Sequence, residues 1–131
     1  MKMIPTKVHG VFDYIGGAIL LFAPNIFGFA HEGGAAVLIP RIIGLVVLIQ
    51  SVLTNYELGL LKILPMKIHL MNDYIAATLL ALSPWIFGFS QLPANAWMPH
   101  LVAGVAIFVL TLMTQREPRQ VHGDASMRHA Q

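Results

Sequence analysis

The chain states one apolar pattern twice, sixty positions apart and without a gap. Ile4-Pro5-Thr6-Lys7-Val8-His9 leads to Asp13-Tyr14-Ile15 and on to Pro24-Asn25-Ile26-Phe27-Gly28-Phe29. Leu64-Pro65-Met66-Lys67-Ile68-His69 leads to Asp73-Tyr74-Ile75 and on to Pro84-Trp85-Ile86-Phe87-Gly88-Phe89. The register holds through the second half of each unit, where Gly44 meets Gly104, Thr54 meets Thr114 and Glu57 meets Glu117. Repetition at a fixed period makes the repeated unit the building block. This chain is therefore expected to fold as a first two-helix repeat over residues 1–60 and a second over 61–117, followed by a polar, flexible cytoplasmic tail over 118–131.

The alphabet of the unit decides its solvent. Of the 131 residues 56% are hydrophobic and 11% charged, where a soluble domain carries about 25% charged residues. The net charge of +2 is small and its basic residues are dispersed, which excludes a nucleic-acid surface. With no cysteine, disulfide frameworks and thiolate metal sites are excluded too. The N-terminal segment differs from a signal peptide because His9 and Asp13 interrupt its apolar run, and the same segment recurs internally; it is expected to remain in the mature protein.

Crossing a ~30 Å hydrocarbon core takes about 20 apolar residues in a helix. Four stretches fit: roughly 6–23, 36–55, 66–83 and 97–115. Pro5 and Pro65 suit the first helical turn, where a missing N–H costs nothing. Ser83-Pro84 reads as a second start signal, so the first and third spans are expected to break near Pro24 and Pro84. Short interfacial segments would follow, with Trp85, Phe87 and Phe89 (Phe27 and Phe29 in the first copy) at the membrane surface and Gly88 or Gly28 at the turn. Lys2, Lys7, Lys62, Lys67, Arg116, Arg119 and Arg128 stand on one side against Arg41 on the other. That asymmetry places both termini in the cytoplasm. The fold expected is an all-α membrane protein: four transmembrane helices as two tandem hairpins of the same orientation, related by an approximate two-fold axis along the membrane normal.

Polar identities converge on the cytoplasmic face. His9 and Asp13, like His69 and Asp73, stand four apart on one helix face. Lys7, Tyr14, Thr54 and Glu57, with Lys67, Tyr74, Thr114 and Glu117, lie at the same level. Three readings are open for this cluster. It can lock the hairpins structurally; its two histidines and two aspartates can hold a divalent metal, a cofactor or a small ligand; or it can begin a proton or ion path. Depth opposes the last, since six residues from Lys7 to Asp13 rise only about 9 Å. No cofactor is named by these residues. Gly44 and Gly104, among other small residues in the spans, permit close helix approach within the chain or between copies. Arg41 is expected to snorkel outward or to pair with Glu32, and His122 and His129 belong to no ligand constellation.

With Ser83-Pro84-Trp85 followed by Ile86-Phe87-Gly88-Phe89, the chain resembles the SPW-repeat family of small bacterial and archaeal membrane proteins. The resemblance covers residues 4–57 and 64–117; the first copy has Ala23-Pro24-Asn25 in place of the tripeptide. It implies an integral protein of the prokaryotic membrane with two helices per repeat and implies no catalytic activity. The leading expectation is a non-enzymatic module in the lipid bilayer that acts by helix packing, as a homo-oligomer or beside a partner membrane protein. The cytoplasmic-face ligand site is the alternative, and a small-solute carrier or pore the third.

Overall fold

A computed structural model describes residues 3–117. It is all-helical, with four long helices and no strands among those residues: α1 (Thr6–Ile26), α2 (Gly34–Leu53), α3 (Met66–Ile86) and α4 (Ala94–Met113), plus a 3₁₀ turn at Ala30–Glu32. The expected tail of residues 118–131, with His122 and His129, lies outside the described residues. Pro5 and Pro65 cap α1 and α3 from extended backbone, with ψ of 151° and 143°. Their fixed φ leads the chain into the first turn, and neither helix needs a side-chain cap there.

The expected breaks at Pro24 and Pro84 do not occur. Both prolines lie inside the last turn of their helices, which continue to Ile26 and Ile86. In that position a proline removes one N–H, the partner of the carbonyl four residues back. For Pro84 that carbonyl belongs to Leu80, and it accepts instead from the Ser83 hydroxyl at 2.7 Å. Ser83 is thus not the cap of a new helix but the donor that replaces the bond its neighbour deletes. Each helix then stops at a glycine in the left-handed region, Gly28 at φ 75° and Gly88 at φ 74°. The following Phe29 and Phe89 N–H groups reach back 2.8 Å to the carbonyls of Pro24 and Pro84, the bond that closes a Schellman turn.

No separate helix starts at either proline, and the aromatic residues beyond them divide. Trp85, Phe27 and Phe87 are exposed, while Phe29 and Phe89 turn inward and are buried. Of the two outcomes open to Arg41, pairing with Glu32 is not the one found: its guanidinium donates to the exposed Asn25 Oδ1 at 2.8 Å, and Glu32 lies 3.2 Å from His31.

Packing is strongest within the pairs α1–α2 and α3–α4; the hairpins meet along α2 and α3, and α1 touches α4 only sparsely. Gly44 and Gly104 set the spacing inside each hairpin. A Cβ on Gly44 would stand 2.6 Å from Gly17 O and Leu21 N, and one on Gly104 would stand 2.5 Å from Ala81 N and 2.6 Å from Ala77 O. Leu20, Ile43, Val47 and Leu80 fill the centre between the hairpins. At the end carrying the 54–65 connection, two short parallel bridges tie the chain together. Ile4 pairs with Thr114, and Leu64 with Thr54.

α2 and α4 are long and apolar enough to cross a membrane, with mean hydropathies of 2.3 and 1.9 over their best windows. α1 and α3 match them in length but carry ionisable groups, and they sort these by face. On α1 the buried set includes His9, Asp13, Gly17 and Leu20, while Val8, Val11, Phe12, Ile15, Ile19 and Phe22 are exposed.

Candidate functional site

The four residues of the two His-x₃-Asp pairs meet. His9 and Asp13 come from α1 and His69 and Asp73 from α3, near the N-terminal ends of both helices, and all four are buried. His9 Nε2 lies 3.1 Å from Asp13 Oδ1 and 2.9 Å from Asp73 Oδ2. His69 Nε2 lies 3.0 Å from Asp13 Oδ2 and 3.2 Å from Asp73 Oδ2. Each imidazole therefore faces both carboxylates, one from its own helix and one from the other hairpin. The rings meet edge to face with centroids 5.5 Å apart.

The far side of each ring is held by the threonine that ends the second helix of the other hairpin. His9 Nδ1 is 2.7 Å from Thr114 Oγ1, and His69 Nδ1 is 2.6 Å from Thr54 Oγ1. A threonine hydroxyl has one proton, and both are already spent: Thr114 donates to Leu110 O and Thr54 to Gln50 O. Each Oγ1 must then accept from the ring, so Nδ1 carries a proton in both histidines. The terminal bridges make this possible, because pairing Ile4 with Thr114 and Leu64 with Thr54 brings each threonine level with the first turns of α1 and α3.

Neutral donors complete the carboxylates. Gln50 Nε2 donates to Asp73 Oδ1 at 2.6 Å, and Asn72 holds that glutamine through its Oε1 at 3.2 Å. The Tyr56 hydroxyl approaches Asp13 Oδ2 at 3.4 Å, and its ring packs on His69 with centroids 5.6 Å apart. Burial, with the Asp13 charge beside it, holds the Tyr56 phenol well above its ordinary range, so it remains a donor. Tyr56 and Gln50 have no counterpart in the other copy, where Arg116 and Leu110 occupy their positions. Repeat matching passes over them for that reason.

The other polar residues singled out in the sequence lie around this core rather than in it. Lys7 is exposed. Glu57 accepts from the Thr6 hydroxyl at 2.6 Å. Tyr14 donates to Leu58 O at 2.8 Å. Lys67 and Glu117 form an exposed pair at 3.6 Å, and Tyr74 packs edge-on against Phe108 with centroids 5.1 Å apart.

At the opposite end of the bundle a second polar residue is buried. His100 of α4 is 1% exposed and donates through Nε2 to the Ala36 carbonyl, 2.9 Å away in the other hairpin. Phe29 and Phe89 flank it at 5.7 and 4.8 Å. It stands opposite Pro40 in the repeat and gives no sign in the sequence beyond being a lone histidine in an apolar stretch.

The aspartates and histidines offer two nitrogens and two carboxylates, a donor set suited to a zinc-class ion or to a purely hydrogen-bonded lock; nothing in it resembles a nucleophile with its base. The tripeptide Ser83-Pro84-Trp85 has its own structural work, with Ser83 on Leu80 O and Trp85 edge-on to Trp97 at 5.8 Å. No curated protein and no solved structure matches the chain. The SPW repeat domain matches residues 7–114, nearly the whole of the described chain, and the chain belongs to the SPW repeat family.

Proposed function

We propose that the chain is a non-enzymatic integral membrane module of four spanning helices that works by associating with a second copy of itself or with a partner membrane subunit. The furrow between α1 and α4 carries this reading. It is a cavity of about 330 Å³ with Phe12, Gly16 and Ile19 on one bank and Ala103, Ala106 and Leu110 on the other. It shares Ile19, Leu20 and Ala103 with a second cavity of about 470 Å³ toward the Phe29–His100 end, so the two form one apolar track along the bundle. Gly16 has nothing within 4 Å of where a Cβ would be, whereas the adjacent Gly17 is filled by Leu48. In lipid, where apolar surface alone drives no association, small residues at an open face let another backbone approach closely.

The burial pattern supports four spans. Ionisable groups on α1 and α3 point into the bundle and large apolar side chains point out, the reverse of a soluble helix. With the basic residues on one side, both ends of the chain face the cytoplasm of a prokaryotic cell.

The test is oligomer mass in nanodiscs and gentle detergent, wild type beside Gly16→Leu. A Cβ at Gly16 meets no neighbour in its own chain and the rest of a leucine side chain has the open furrow to occupy, so the fold survives while association is lost. Leucine at Gly44 or Gly104 does not discriminate, because it strikes the chain's own helix first. A wild type that is monomeric and brings no stoichiometric subunit from its membrane refutes the reading, as does a Gly16→Leu variant with unchanged mass.

A further inference from the structure

We propose that His9, Asp13, His69 and Asp73 form a closed four-ligand site for a divalent ion of the zinc class, joining the two hairpins near one membrane face. One atom from each residue can be chosen so that all four lie within 4.8 Å of one another. The four nitrogen–oxygen separations are 2.9, 3.0, 3.1 and 3.2 Å. A tetrahedral ion with bonds of about 2.0–2.1 Å has ligand atoms about 3.3 Å apart, close to these four separations, which use both oxygens of Asp13; with one atom from each residue the set spreads to as much as 4.8 Å, and an ion at its centre would draw it in.

The proton inventory argues in the same direction. His9 Nε2 stands in hydrogen-bond geometry 2.9 Å from Asp73 Oδ2, which without an ion takes a second proton on that ring; because Thr114 and Thr54 fix the protons on Nδ1, rings that stay neutral both present an unprotonated Nε2 to the centre, the tautomer of a metal-ligating histidine held from behind by an oxygen acceptor. Two lone pairs would then face two carboxylates with nothing positive between them. A divalent ion makes the group neutral overall.

A different observation separates the ion from the other neutral arrangement, two imidazolium rings on two carboxylates. His69 Nε2 is fully buried and within 3.2 Å of two carboxylate oxygens, yet it makes a hydrogen bond to neither. It points between Asp13 Oδ2 and Asp73 Oδ2, so an N–H there would be misdirected, whereas a lone pair aimed between two carboxylate oxygens is aimed at a shared cation. The ligand types select the ion: neutral imidazole with carboxylate suits zinc, cobalt or their neighbours, while calcium and magnesium prefer all-oxygen shells. Four protein ligands leave no open position, which makes the ion structural. Gln50 on Asp73, Tyr56 on Asp13 and the two threonines orient the ligands from behind.

The experiment uses the full chain without a polyhistidine tag and with His31, His122 and His129 changed to Ala, so that histidines outside the cluster do not compete. The protein is stripped with a chelator, refolded in detergent with Co²⁺, and then titrated with Zn²⁺. The expected result is one Co²⁺ per chain with the intense visible absorption of a tetrahedral ion, bleached on addition of one Zn²⁺. His9→Gln and Asp73→Asn should each weaken binding at least about 100-fold, and Thr114→Val about 10–100-fold, the cost of losing an outer partner. Should those variants fail to fold, X-ray absorption at the zinc edge of the unaltered site decides: two imidazoles and two oxygens at about 2.0–2.2 Å are expected. A folded protein that takes up no Co²⁺, binding retained in His9→Gln, or a shell with fewer than two imidazoles overturns the proposal, and the first of these leaves the doubly protonated lock in its place.

Discussion

Replacing Gly104 by alanine tests the close approach on which each hairpin depends. The new methyl would sit 2.5 Å from Ala81 N and 2.6 Å from both Ala77 O and the Ala81 Cβ, where ordinary contact begins at 3.4 Å. Two of the three obstacles are helix backbone, so α3 and α4 must separate by most of the missing ~0.9 Å. Overpacking of this kind costs about 1–3 kcal/mol, opposed by a gain of about 0.8–1 kcal/mol from replacing glycine inside a helix. Gly16→Ala isolates that gain, because it meets no neighbour. The expected difference in unfolding free energy between the two alanine variants is therefore the overpacking cost alone, about 1–3 kcal/mol. Reversible unfolding in mixed detergent micelles would measure it, followed by the fluorescence of Trp85 and Trp97, whose rings meet at 5.8 Å across the same two helices. Equal stabilities for Gly104→Ala and Gly16→Ala would mean that α3 and α4 do not approach as described, and the reasoning would fail.

Ser83→Ala should destabilise the protein by about 1–3 kcal/mol, since it strands the buried Leu80 carbonyl that Pro84 cannot serve. The first hairpin lacks this donor, so Ala23→Ser should leave stability unchanged or raise it by up to about 1 kcal/mol; a loss on Ala23→Ser equal to that on Ser83→Ala, in the same micelle assay, would sink the account. Topology can be read directly because the chain has no cysteine. A single cysteine at Leu60 should react with a membrane-impermeant thiol reagent only after the cytoplasmic face is opened, and one at Ser90 should react in intact cells.

What the sequence revealed and what it hid follow one physical line. Helix starts at Thr6 and Met66 are legible because Pro5 and Pro65 announce them locally, and His9, Asp13, His69 and Asp73 stand out because ionisable residues are scarce in such an alphabet. The contacts among them are not legible. A spacing of four pairs His9 with Asp13, yet His9 comes closer to Asp73 in the other hairpin than to Asp13, and one sequence carries no record of which helices meet across the bundle. Pro24 and Pro84 mislead because a proline looks the same whether it opens a helix or lies in its final turn. Only the partner of the freed carbonyl tells the two apart. Tyr56 and His100 escape because each departs from the repeat, and a reading built on what the copies share discards what they do not.

Those departures bear on the carrier reading as well. A polar solute needs donors and acceptors along its way, and the bundle concentrates them at its ends: the His–Asp–Thr group at one, His100 beneath Phe29 and Phe89 at the other. Between them the centre is closed by Leu20, Ile43, Val47 and Leu80. The track that does run along the molecule lies on its flank, between α1 and α4, walled by Ile19, Leu20 and Ala103. A wall of that chemistry accepts a lipid chain or the apolar face of another helix and offers a hydrated ion nothing in exchange for its water. The same distribution makes sense of a lock at the first turns of α1 and α3. With α1 and α4 barely touching, the polar group there joins α1 to the other hairpin where apolar packing does not, and it leaves the flank free for a partner.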